Sequence, residues 1–214
     1  MKLQLRKLKT KSILLLLGIA FYTSLNYAQS SREFSKVEIE KINFDFIKMS
    51  MPLFKAFEFN DKGGTYNLFL FEDSKMVSKT VSLNSKIFAV CYLEDHGGFL
   101  EKWKINDFIE SPKENNIFFW EEYCQFKDID DDGFIEPIII YSTASKNDVY
   151  ERIKIITIYK NKKYVIRAQE CVFDGCRTFK KDADFNKLPK SITDHIDKLL
   201  ARLRKEQGLI LKNG

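Results

Sequence analysis

The chain has 214 residues, 44% hydrophobic, 30% charged and 14% aromatic, with only 9 Gly and 4 Pro, a balance that excludes a disordered tail, a collagen-like repeat and a low-complexity linker. Five of its 35 basic residues, Lys2, Arg6, Lys7, Lys9 and Lys11, fall in residues 1–28, a stretch without Asp or Glu, so the formal net charge of +5 belongs to that stretch. Without it 30 bases face 30 acids, and the basic surface that a nucleic-acid partner requires loses its support.

Those N-terminal bases precede an apolar run from Ile13 to Tyr22, followed by the polar Thr23, Ser24 and Asn26 and the small Ala28. This is the pattern of a secretory signal peptide, and the run is roughly half the ~20 apolar residues that a spanning helix needs. Removal after Ala28 would leave residues 29–214 as an exported chain, periplasmic or extracellular, with no stable membrane span. No cysteine precedes Cys91, so none stands at the signal junction to take a lipid.

Residues 29–214 show no linker and no internal repeat, and the expectation is one β-rich domain. Val37 to Met49 alternates with a slip at Lys41 and reads as a strand. Phe54 to Phe59 and Tyr66 to Phe71 flank Asn60-Asp61-Lys62-Gly63-Gly64 as a hairpin. Ile87 to Leu93 and Phe99 to Ile105 flank Asp95-His96-Gly97-Gly98 in the same way, as do Arg152 to Tyr159 and Tyr164 to Gln169 around Lys160-Asn161-Lys162-Lys163. Consecutive hairpins predict a mainly antiparallel sheet. Ile192, Ile196, Leu199, Leu200 and Leu203 form one apolar stripe, predicting a C-terminal helix over about 191–207 that packs on the sheet, capped by Ser191 with Asp194 and stopped at Gly208. The fold class expected is therefore α+β.

In an oxidising compartment the four cysteines can pair. Cys171 and Cys176 bracket the turn-like Val172-Phe173-Asp174-Gly175, and a disulfide there would leave Cys91 to pair with Cys124; the other two connectivities stay open. A zinc or redox site is disfavoured, since there is no Cys-x-x-Cys pair and the chain has two histidines.

One loop carries a chemical pattern. Asp128-Ile129-Asp130-Asp131-Asp132-Gly133-Phe134-Ile135-Glu136 places carboxylates at positions 1, 3, 5 and 9 and Gly at 6. Alternate acids converge on one centre, Gly permits the sharp turn, and Phe134 at position 7 offers its backbone carbonyl. Calcium suits so many flexible oxygen donors better than magnesium, with a weak affinity of roughly 0.1–1 mM. An EF-hand is excluded: position 12 is Ile139, and the flank is Pro137-Ile138-Ile139-Ile140-Tyr141, which reads as a central strand. The metal ligands expected are Asp128, Asp130, Asp132, Phe134 and Glu136. Asp182-Ala183-Asp184-Phe185-Asn186 has Lys187 where the Gly should be and reads as a surface loop.

The acidic loop resembles the Asp-x-Asp-x-Asp-Gly-x-x-(Asp/Glu) loops of integrin-type β-propeller repeats, over the loop alone. A longer series resembles a family of small exported bacterial proteins. It runs from Ala56-Phe57-Glu58-Phe59-x-Asp61-Lys62-x-Gly64 through Trp103-Lys104-Ile105-x-Asp107-Phe108 and the acidic loop to Tyr141 and Lys163-Tyr164-x-Ile166-Arg167. Some members are labelled surface-polysaccharide biosynthesis, so the resemblance implies export and a cell-envelope setting without implying a reaction.

Catalytic signals are thin: His96 lies in a Gly-rich turn, His195 near the helix stripe, and no nucleophile or phosphate-binding motif occurs. Glu121 and Glu122, read as strand neighbours, would point to opposite faces. Trp103, Phe118, Phe119, Trp120 and Tyr123 either fill the core or offer rings for stacking. The function expected is an exported, non-enzymatic envelope accessory or interaction protein with a structural calcium loop and a protein or glycan ligand. The alternative is a periplasmic enzyme or inhibitor acting on glycans or surface polysaccharide. Acidic side chains opening into a deep cleft with other ionisable groups would favour the alternative; an isolated loop at a sheet edge would favour the first.

Overall fold

A computed structural model describes residues 30–42, 47, 49–76, 82–145 and 150–213. The signal-peptide reading of residues 1–28 lies outside them.

The alternating segments fold as expected into antiparallel hairpins. β2 (Leu53–Asp61) pairs with β3 (Gly64–Glu72), and β6 (Lys86–Asp95) with β7 (Gly98–Phe108); β1 (Ser30–Glu33) joins the outer edge of β2. The first sheet therefore has the order β1-β2-β3-β6-β7. β4 (Lys75–Met76) and β5 (Ser82–Leu83) form a separate short pair. The second sheet is built from β8 (Glu114–Phe119), β9 (Gln125–Lys127), β10 (Glu136–Ser145), β11 (Tyr150–Tyr159), β12 (Lys162–Cys171) and β13 (Thr178–Lys181). Its order is β13-β12-β11-β10-β8, with β9 beside the first residues of β10.

The apolar faces stack these elements into four layers. Leu68, Leu70, Ile87 and Ile105 of the first sheet meet Ile117, Ile139, Tyr141 and Ile156 of the second. On the far face of the second sheet, Ile138, Ile140, Ile153 and Ile166 receive the helical stripe of Ile192, Ile196, Leu199, Leu200 and Leu203. β10 is thus apolar on both faces because both are covered. On the far face of the first sheet, Ala56, Phe69 and Val90 are covered by residues that include Phe34, Ile39 and Met51. Trp103, Phe119 and Tyr123 are buried, and the Trp120 indole donates to the Ser142 hydroxyl at 2.9 Å.

Several expectations are corrected. Within Val37 to Met49 the chain forms a helix, α1 (Lys36–Lys41), not a strand; residues 43–46 and 48 are outside the described set. The cause is a capping box: the Glu38 N–H donates to the Ser35 hydroxyl while the Glu38 carboxylate accepts from the Ser35 N–H at 2.8 Å. The C-terminal helix, α2 (Lys190–Gln207), starts after the extended Pro189, which caps it without a side-chain bond, so Ser191 falls inside the first turn and Asp194 pairs with Lys190. Gly208, left-handed at φ 69°, ends it as expected. Cys171 and Cys176 are bonded, but Cys91 and Cys124 are free. Cys91 is buried between the sheets and the Cys124 thiol turns to the Ile140 carbonyl; burial raises both thiol pKa values, Cys124 to about 12. Glu121 and Glu122 lie on a 3-10 turn, not a strand, and Glu121 pairs with Lys55 at 3.2 Å.

Candidate metal centre and adjoining cleft

The acidic loop spans residues 128–135 between β9 and β10, whose Lys127 and Glu136 are register partners. It therefore joins two strands, and Glu136, the first residue of β10, closes back on the loop's start by accepting the Ile129 N–H at 2.7 Å. Main-chain N–H groups orient the other carboxylates: Gly133 donates to Asp128 at 2.8 Å, Asp132 to Asp130 at 3.3 Å and Phe134 to Asp132 at 2.9 Å. Asp131 and Gly133 take left-handed backbone, φ 60° and 93°. Glycine suits the left-handed backbone at 133, and a Cβ there would also have to push aside the end of the Lys62 side chain.

One ligand atom from each of Asp128, Asp130, Asp132 and Glu136 lies within 4.8 Å of every other, so these four acids form a group that can hold a metal ion. The spacing places hard oxygen donors around one point while the Asp131 side chain is exposed. Glu136 is only 2% exposed, and its pKa is pushed up to about 8, first by burial and then by the charges of Asp130, Asp128 and Asp132. Asp130 is raised as well, by burial and by Asp132. Phe134 presents an exposed ring, and its carbonyl remains an expected ligand.

The β2–β3 turn fastens this loop to the other sheet. The Asp61 carboxylate accepts from Gly63 at 2.6 Å and, across the sandwich, from the Ile135 N–H at 3.0 Å. Lys62 donates its N–H to the Gly133 carbonyl at 3.0 Å and its ammonium to the Asp132 carbonyl at 2.7 Å. Sequence reading took Asp61 and Lys62 as turn residues; their local signal, Asp-Lys-Gly-Gly, marks a turn and not a contact 70 residues away.

Beside the loop is a cleft of about 340 Å³ whose lining includes Asp132, Phe134, Glu136, Asp61, Tyr66, Trp103, Lys160 and Asn161. The loop is therefore not an isolated feature of a sheet edge: two of its carboxylates face a concavity with other ionisable groups.

The remaining candidates stay apart from this site. His195 hydrogen-bonds with Gln125 and His96 with Asp95. Asp184 pairs with Lys162 and Lys187, which hold its pKa down to about 2, and Asp182 pairs with Arg167. That second acidic stretch is satisfied by Lys162 and Arg167 of β12 and by its neighbour Lys187, as a surface loop requires. No protein-family model, curated protein or solved structure matches the chain.

Proposed function

We propose that the protein is an exported accessory or interaction protein of the cell envelope, in which a calcium ion held by Asp128, Asp130, Asp132, Glu136 and the Phe134 carbonyl fixes the junction between the two sheets. The carrying observation is the convergence of four carboxylates on a loop fastened to the opposite sheet. Calcium is favoured over magnesium because the donors are many and all oxygen, which suits its larger coordination shell. The ion neutralises acids that otherwise repel one another, so binding stabilises the folded chain.

Thermal unfolding of residues 29–214 in EDTA, calcium and magnesium tests this. At about 100 times the dissociation constant, mass action contributes about 2.7 kcal/mol, a rise of about 5–11 °C for a domain of this size. A calcium-selective rise that disappears in Asp130→Ala supports the reading. Equal curves in EDTA and calcium reject the ion.

A second reading, an enzyme or inhibitor acting on glycans, draws support from the cleft, which gathers Asp61, Asp132, Glu136 and Lys160. It is the weaker of the two because both Asp61 oxygens accept main-chain N–H groups, while Asp132 and Glu136 belong to the ligand set. Release of reducing ends from soluble polysaccharides, lost in Glu136→Gln, would reverse that order.

A further inference from the structure

A second cleft, of about 440 Å³, opens on the α2 side of the second sheet. Strand alternation builds its floor: Ile117 and Phe119 of β8 turn into the sandwich, so Phe118 and the following Trp120 turn toward α2, and both are half-buried. The 3-10 turn then brings Glu121, Glu122 and Tyr123 to one wall, and β11 brings Glu151. Glu151 lies on this side because its register partner, Glu170, accepts the Ile210 and Leu211 N–H groups of the chain leaving α2.

Three carboxylates line this cleft and, among the described residues, no base does. Lys55 stands beside it, but its one ammonium serves both Glu33 at 2.6 Å and Glu121 at 3.2 Å. That ammonium lies within ion-pair distance of the Glu121 Oε2, yet this oxygen is buried and accepts no hydrogen bond. Glu122, next to it, is exposed. The rings add to the pattern. Ser142 fixes the Trp120 N–H, which leaves the ring surface to the cleft, and Tyr123 already carries a cation, the Arg202 guanidinium at 4.6 Å from its centre. Carboxylates beside aromatic faces are what a cation seeks.

Spacing decides the kind of cation. Among the described residues, the acids of the 128–136 loop are the one group of three or more whose oxygens come within 4.8 Å of one another. Glu121, Glu122 and Glu151 do not close to that distance, so a compact metal ion cannot be shared among them. An elongated cation, with N–H donors at its end and apolar methylenes for the rings, spans them.

We propose that this cleft binds an organic cation of the alkylammonium class, its methylenes on the Phe118 and Trp120 rings and its N–H groups on Glu121 and Glu122. Such a site is independent of the ion in the acidic loop.

The chain has two tryptophans, so its NMR spectrum carries two indole N–H signals; the one lost in Trp120→Phe and kept in Trp103→Phe reports this cleft. The probes, at millimolar concentration, are spermidine, a free polyamine, and N-acetyl-lysine amide, a lysine as a partner protein would present it. N-acetyl-norleucine amide is the uncharged control. At least one amine should shift the Trp120 signal saturably, and added salt should weaken it. Glu122→Gln, a change at an exposed side chain, should weaken binding about 3-fold. A response to spermidine alone assigns the site to free polyamines, and a response to the lysine amide assigns it to a protein's side chain. Silence toward both amines overturns the site, as does an equal response to the norleucine control. Binding that is undiminished in Glu122→Gln but lost in Asp130→Ala also overturns it, since the amine then sits on the acidic loop.

Discussion

Glu136 is the residue at which burial and like charge act together. Its carboxyl holds a proton up to about pH 8 in the folded chain, against an ordinary 4.5, because burial and three aspartates oppose its charge. A folded pKa above the unfolded one contributes stability that is complete below about 4.5 and lost as pH rises through about 8. The metal-free protein should therefore lose denaturant resistance across that window. A cation displaces the same proton, so metal affinity should climb over the same range. Urea midpoints in EDTA and in calcium read both trends. Glu136→Gln keeps an acceptor for Ile129 but cannot ionise; it should flatten the metal-free slope and abolish the calcium response. An unchanged slope in that variant would assign the titration to another group. Gly133→Ala meets two obstacles, φ 93° and the Lys62 side chain, and should cost more than about 1 kcal/mol in the same assay.

At the scale of elements, a buried ion network joins the sheets further along β10. Asp107 of β7 accepts from the Tyr141 hydroxyl at 2.7 Å, from Lys154 at 2.6 Å and from Arg152 at 3.1 Å. Arg152 also donates to Glu114 at 2.9 Å, which accepts from Thr143 at 3.0 Å. Burial acts to raise the Asp107 pKa, but the bonds from Lys154 and Tyr141 and the Arg152 charge outweigh it and hold the group below its ordinary range. Asp107→Ala takes the close acceptor from Lys154 and the Tyr141 hydroxyl while Arg152 keeps Glu114, so it should destabilise by about 1–3 kcal/mol in urea unfolding. A loss under about 1 kcal/mol would mean that water reaches Arg152 and Lys154.

The same elements show what a sequence reveals. The α2 stripe and the β10 run were legible because their periodicity is set by burial on known faces, and Gly208 by its left-handed backbone. α1 was not, because in six residues a Ser35–Glu38 capping box outweighs alternation among Val37, Ile39 and Ile42. The acidic loop was legible as a local pattern of ligands. The cleft was not, since Tyr66, Trp103 and Asn161 meet only when the two sheets close, and Cys124 could be placed beside Ile140 only by the path of the 3-10 turn before it.

For the whole molecule, the contact from Asp61 and Lys62 to residues 132–135 means that the loop's state is felt in both sheets. An ion that holds Asp128, Asp130, Asp132 and Glu136 together also fixes the carbonyls of Asp132 and Gly133, the acceptors of Lys62. It likewise steadies the Ile135 N–H on Asp61. Local opening of the β2–β3 turn should then become rarer when metal binds, although that turn supplies none of the four carboxylates. Hydrogen exchange measures this directly. Under conditions where local opening governs exchange, calcium should slow the Lys62, Ile129, Gly133 and Ile135 amides together and leave the middle of α2 unchanged, because the helix packs on the other face of the second sheet. Protection of Ile129 and Gly133 without Lys62 would show that the ion orders its own loop and does not couple the sheets. In Asp61→Ala the buried Ile135 N–H loses its acceptor, at about 1–3 kcal/mol, while the exposed Gly63 N–H turns to water. The calcium effect at Lys62 should then shrink while that at Ile129, which depends on Glu136, persists.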